Sequence, residues 1–299
     1  MTRLPDFMII GAMKCATSTL HEQLAAQPGV FMSTPKEPNF FSDDDIFARG
    51  MGWYAGLFSA AKPGDLCGES STHYTKLPIH PSAVERIAEH VPDAKFVYVM
   101  RHPLHRLVSA YVHEWSERTI TEPIDEAIDK HARLVDYSRY AMQLRPYLER
   151  FGTDRVLPVF FEAMCERPQQ TLERVCRFIG YEGEPRWSDA LGEQNVSSQR
   201  MRASPLRDAI VGLPVLRSIR KNLVPQSVRD KVKSLWTMNH RPELSDASRA
   251  KLTATFDVDL AQLGLWLGIE GLSCATFKEN VLGGPYGWRP EAEDLREAA

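Results

Sequence analysis

Apolar residues along this chain fall into short unbroken runs, separated by stretches in which they recur every three or four positions. The runs cover 7–10, 30–32, 66–68, 96–100 and 156–160 and are rich in valine, isoleucine, methionine and phenylalanine. Runs this short and this continuous suit strands covered on both faces. The stretches 17–27, 82–90, 104–117, 137–151 and 168–179 carry helical spacing instead. Strands alternating with helices predict a three-layer α/β fold, with a central parallel sheet of about five strands flanked by helices. No internal repeat or long low-complexity tract interrupts the pattern, so residues 1–299 read as a single domain. The stretch 195–243 is less regular and more basic, an elaboration near the site. The acidic end, 288–299, reads as a frayed tail.

Chemistry enters with the first strand. The chain continues Gly11-Ala-Met-Lys14-Cys-Ala16-Thr17-Ser18-Thr19 into a helical stretch. The first N–H groups of a helix have no intrahelical partner and lie at the positive end of its dipole, so such a turn favours phosphate or sulfate. Lys14 adds a full charge, and Thr17, Ser18 and Thr19 add hydroxyl donors. The nucleoside-triphosphatase loop requires Gly-x-x-x-x-Gly-Lys-Ser/Thr, which this chain lacks. By itself the segment also fits an ordinary capped turn. A second segment narrows the choice: Arg101 ends the run 96–100, Pro103 opens the next helix, and Ser109 lies about two turns further on. Ligands of open α/β sheets bind outside the carboxyl ends of the strands, and an Arg fork with a hydroxyl clamps an isolated phosphate.

Together the two segments resemble the donor-binding motifs of sulfotransferases that use 3′-phosphoadenosine 5′-phosphosulfate (PAPS). The likeness runs from about residue 5 to about residue 270 and is closest to the bacterial and heparan-type (glycosaminoglycan) branch. It implies a P-loop-like sheet of the sulfotransferase and nucleoside-kinase type. It also implies that Lys14, Ala16, Thr17, Ser18 and Thr19 surround the 5′-phosphosulfate, and that Arg101 and Ser109 hold the 3′-phosphate. Ser198 and Arg200, with Arg202 behind them, fall where the family closes a late polar loop over the nucleotide; an ordinary solvated loop is the other reading. Tyr137, Ser138 and Tyr140 fall near the family's nucleoside site but equally suit core packing. The family usually has glycine where this chain has Ala16. A positive φ there would strain alanine by about 1 kcal/mol.

Transfer of a sulfuryl group also needs a base for the acceptor proton. Two segments offer one. Thr34-Pro-Lys36-Glu37-Pro-Asn-Phe-Phe41 is braced by two prolines and two aromatics, and Glu37 matches the catalytic glutamate of the heparan-type enzymes. Gly68-Glu69-Ser-Ser-Thr-His73-Tyr74 follows the third run, and its relatives line the acceptor side. His73 has the better unperturbed pKa for neutral pH; the resemblance favours Glu37. Lys36 could face the phosphosulfate or solvent.

Composition agrees with an enzyme of ordinary core size. The chain is 299 residues long, 43% hydrophobic and 25% charged, with net charge −3, a balance that argues against a nucleic-acid polymer as partner. No apolar run approaches the roughly twenty residues that span a bilayer. Five scattered cysteines without Cys-x-x-Cys spacing suggest reduced thiols and no metal site. The expectation is therefore a cytoplasmic enzyme that moves a sulfuryl group from PAPS, without a metal, to a hydroxyl or amine, plausibly of a carbohydrate or lipid-linked sugar. The basic, leucine-bearing stretch 206–233 could touch a membrane surface. The alternatives are a P-loop-like kinase using ATP, or a nucleotide-binding module without catalysis.

Overall fold

Five strands make one parallel sheet in the order β2-β3-β1-β4-β5: β1 (Phe7–Gly11), β2 (Val30–Met32), β3 (Leu66–Ser70), β4 (Lys95–Met100) and β5 (Val156–Phe160). The computed structural model describes residues 3–191 and 241–297. The stretch 192–240, which holds Ser198, Arg200, Arg202 and the basic segment 206–233, lies outside the described residues.

The runs are unbroken because both sheet faces are covered. Phe7 to Ile10 and Phe96 to Met100 are fully buried. Helices Thr17–Ala25 and Pro168–Ile179 pack together, and helices Ala83–His90, Asp246–Leu267 and Pro290–Glu297 gather around helix Tyr140–Phe151. Gly68 is required by the sheet: a Cβ there would lie 2.2 Å from Phe7 Cζ and 2.7 Å from Met32 Sδ. Register pairs Phe7 with Gly68 on one side and Met8 with Phe96 on the other.

Where the elements depart from the pattern, polar residues account for it. β3 continues through Glu69 and Ser70, both fully buried, past the apolar run that marked it. The expected helix 137–151 starts late: a short helix, Arg133–Asp136, precedes the expected stretch, and the expected helix itself runs only over Tyr140–Phe151. The second begins where Asp259, from the distant 246–267 helix, accepts the free N–H groups of Ala141 (2.9 Å) and Met142 (3.1 Å). The acidic end does not fray: residues 290–297 form a helix, and Ala292 is fully buried while acidic neighbours face outward. Among the described residues no helix is long and apolar enough to cross a membrane.

Candidate active site

The carboxyl ends of β1, β3 and β4 lie side by side, and most of the residues singled out above gather there. Ala12 N donates to Val99 O at 2.8 Å, and Ser71 N donates to Ile9 O at 3.1 Å. Thr75 Oγ1 donates to Ile10 O at 2.6 Å, which explains Gly11: a Cβ there would sit 2.0 Å from that hydroxyl. The chain then turns through Lys14 (φ 73°) and Ala16 (φ 63°), both left-handed, into helix Thr17–Ala25. Left-handed residues in a turn gather backbone N–H groups on one side, an anion-binding arrangement. Thr17 and Thr19 are buried, whereas Lys14, Ala16 and Ser18 are half-buried. The positive φ expected at Ala16 is present.

Arg101 is held from three sides. Tyr140 OH donates to its carbonyl at 2.5 Å and accepts its N–H at 3.2 Å, and its guanidinium lies 4.4 Å over the Phe161 ring. Tyr140 and Ser138 therefore act as core residues that position this strand end; Ser138 also accepts from the fully buried Arg106. Ser109 is buried on helix Pro103–Ser116, which follows Arg101. Arg101 Nε is buried, with no hydrogen-bond partner among the described residues. A second cation stands in its neighbourhood: burial, then the charge of Arg101, lowers the pKa of Arg241, whose Nη2 donates to His105 O at 3.4 Å. Burial, then the neighbouring His102, Arg101, Arg241 and Arg249, press His105 down to about 4. Glu162, which accepts His102 N at 3.0 Å, is the carboxylate beside this cluster, and burial raises its pKa. Arg241 escaped the sequence reading because it is remote in the chain. Its only local signal is Arg-Pro-Glu just before Ser245, which caps the long helix.

The two segments offering bases are stitched together. Ser33 N donates to Gly68 O, and Glu37 N to Ser70 O, both at 2.9 Å; Asn39 N donates to Ser71 Oγ at 3.1 Å. Phe40 and Phe41 are fully buried, and Phe40 stacks on Tyr54 at 4.6 Å. Glu37 (φ 57°) and Asn39 (φ 53°) hold left-handed conformations. Four of the five such non-glycine residues among those described thus lie in the Lys14 and Glu37 loops, a concentration typical of functional sites.

Electrostatics redraws the choice of base. Burial works to raise the Glu37 carboxyl, but Lys36, Lys76 and His73 outweigh it and hold its pKa below the usual range; Lys36 Nζ donates to Oε1 at 2.8 Å. Lys36 therefore serves Glu37 directly. Burial brings Lys76 down to about 8 and His73 to about 4, the latter assisted by Lys76. His21, on the helix after the anion loop, falls to about 4 through burial and the charge of Lys36, while Glu37 opposes the fall. Glu37 thus stands close to the donor-side helix. The advantage that an unperturbed pKa lent His73 is gone, because its folded imidazole is no stronger a base than a carboxylate.

An α/β sheet with a cationic, hydroxyl-lined loop and strand end at its carboxyl edge has the P-loop-like fold and the chemistry to hold an anion there. Residues 64–186, which include His73, Arg101 and Ser109, match the model of the sulfotransferase family. Heparan sulfate glucosamine 3-O-sulfotransferase 3B1 of Mus musculus is 30% identical over 187 residues, covering 60% of this chain and 46% of that protein. Bifunctional heparan sulfate N-deacetylase/N-sulfotransferase 1 of Caenorhabditis elegans is 24% identical over 193 residues, covering 59% of this chain and 22% of that protein. The crystal structure of a sulfotransferase from Alicyclobacillus acidocaldarius shares the fold, with a TM-score of 0.62 at 23% identity over 88% of this chain and 95% of that one. The resemblance drawn from the two motifs holds: residues 64–186 match the sulfotransferase family, and the chain is similar to heparan sulfate sulfotransferases. It spans about half the length, or less, of the curated relatives it matches.

Proposed function

We propose that the chain is a PAPS-dependent sulfotransferase with a carbohydrate hydroxyl or amine as acceptor. The observation that carries this reading is the end of β4. The charge of Arg101 reaches the Arg241 guanidinium, and Arg101 Nε is buried without a hydrogen-bond partner among the described residues. Like charges within reach of each other favour an anion beside them, and a 3′-phosphate supplies one. The nucleoside 5′-end then falls to Lys14, Ala16, Thr17, Ser18 and Thr19 at the end of β1. The heparan sulfate sulfotransferases among the relatives favour this reading over the kinase alternative and support a sugar acceptor.

The donor supplies an activated sulfuryl group whose S–O bond to the 5′-phosphate breaks as the acceptor oxygen or nitrogen bonds to sulfur. The protein's part resembles that in phosphoryl transfer, where positioning and charge stabilisation dominate. Lys14 and the loop N–H groups stabilise the negative charge that grows on the departing phosphate oxygen. Glu37, ionised at neutral pH, takes the acceptor proton; Lys36 orients its carboxylate and keeps it charged. His73, on the adjoining segment, contacts the acceptor.

The test is a titration. With Arg101 and Arg241 gripping a 3′-phosphate, adenosine 3′,5′-bisphosphate binds at least about tenfold more tightly than AMP, since a charge-assisted phosphate contact is worth about 1.5–3 kcal/mol. Arg241→Ala narrows that preference. Equal affinity for the two nucleotides, or tighter binding of ADP with magnesium, overturns the reading.

A further inference from the structure

Asp43, His73 and His80 form a cluster that sulfuryl transfer does not require as a unit. One ligating atom of each lies within 4.8 Å of the other two. Three tied segments bring them together. Asp43 ends the Glu37 loop, its N–H donating to Asn39 O at 3.1 Å; His73 sits in the short 3₁₀ turn Thr72–Thr75; His80 follows, its N–H donating to Lys76 O at 3.2 Å.

Two details of this cluster suit a cation. His80 Nδ1 lies 3.1 Å from Ser42 O. A carbonyl only accepts, so Nδ1 carries the hydrogen and Nε2 keeps its lone pair. A backbone carbonyl on the far ring nitrogen is also how metal-binding histidines are supported. His73 Nδ1 is buried without a hydrogen-bond partner among the described residues, and Asp43 Oδ2 lies 3.3 Å away.

We propose that Asp43, His73 and His80 bind a divalent transition cation of the Zn²⁺ type. Two imidazoles and one carboxylate are a donor set for zinc that leaves one coordination position open. Imidazole nitrogen also discriminates against magnesium and calcium, which take oxygen. Bonds of about 2.0–2.1 Å in tetrahedral geometry place ligand atoms ~3.3 Å apart, the separation already present between His73 Nδ1 and Asp43 Oδ2. The rest of the closure falls to His80, whose ring stacks on His73 at 4.8 Å with planes 20° apart and must tilt out of that stack. The absence of paired cysteines excludes a thiolate site and leaves this one untouched. A cation on His73 Nδ1 makes that nitrogen unavailable to an acceptor proton and leaves the task to Glu37.

The experiment uses the full chain, stripped with a chelator and titrated with Zn²⁺ alone against a chromogenic competitor. Wild type binds one equivalent that His80→Gln and Asp43→Asn each lose or weaken by at least about tenfold. Adventitious zinc at the exposed Cys165 is common to all three proteins. A second readout needs no variant: Zn²⁺, but not Mg²⁺, shields His73 and His80 from carbethoxylation mapped by peptide mass spectrometry, while the exposed His105 stays reactive. Equal stoichiometry and affinity in all three proteins, or no shielding in wild type, overturns the site. Binding is read without turnover, so neither result depends on the donor assignment.

Discussion

Glu69 is a carboxyl at zero exposure on β3, with Oε2 accepting from Tyr54 OH at 2.6 Å. Burial pushes its pKa from 4.5 up to about 7, although Tyr54, Tyr74 and Ser71 favour the charged form. The folded protein therefore keeps a proton that the unfolded chain releases near 4.5. Its contribution is fullest below that value, falls as pH rises through the interval, and is gone above about 7. At about 1.36 kcal/mol per pH unit, the interval amounts to about 3 kcal/mol. Glu69→Gln keeps the size and an acceptor for Tyr54 but cannot ionise. Urea unfolding of both proteins from about pH 4.5 to about pH 8.5 at fixed ionic strength isolates the effect. His21, His73 and His105, each lowered to about 4, tilt both curves alike and drop out of the difference. The stability of Glu69→Gln relative to wild type rises by about 3 kcal/mol across this range, mostly between about pH 5 and pH 7. A constant offset at every pH would mean that the folded carboxyl is already ionised, and the burial reasoning would be refuted.

The remaining predictions concern the site. Ala16→Gly relieves a left-handed alanine and raises the unfolding free energy by roughly 1 kcal/mol, read as a higher urea midpoint with an unchanged slope, whereas a fall would show that φ 63° carries no strain. Lys14→Ala lowers turnover by about 10²-fold or more while donor affinity changes less, because the charge it meets is largest in the transition state; a raised Michaelis constant with intact turnover would make it a ground-state anchor. Glu37→Gln costs about 10²- to 10⁴-fold in single-turnover rate with donor binding intact, and His73→Ala costs less, through acceptor binding. Near-wild-type chemistry in Glu37→Gln with collapse in His73→Ala would exchange the two roles.

The sheet was legible in the chain because a doubly covered parallel strand must be apolar at every position, and residues 30–32 and 156–160 show this with matching boundaries. The turn after the first strand was legible too, since Gly11, Lys14 and three hydroxyl residues sit next to one another in the chain. Even the strain at Ala16 could be anticipated from the glycine that the family places there. Contacts between remote segments were not legible. Asp259 capping the 140–151 helix, Arg241 coming within reach of the Arg101 charge, and Ala292 seating the terminal helix each join residues whose neighbours in sequence say nothing of the partner. The pKa of His73 was misjudged for the same reason: an unperturbed value belongs to a side chain in water, and only the fold decides how much water it loses and that Lys76 stands beside it. The sequence by itself determined which elements form and which of them carry charge, because periodicity and turn chemistry are local. The tertiary structure decided which charges meet, because desolvation and Coulomb energy depend on distance in space.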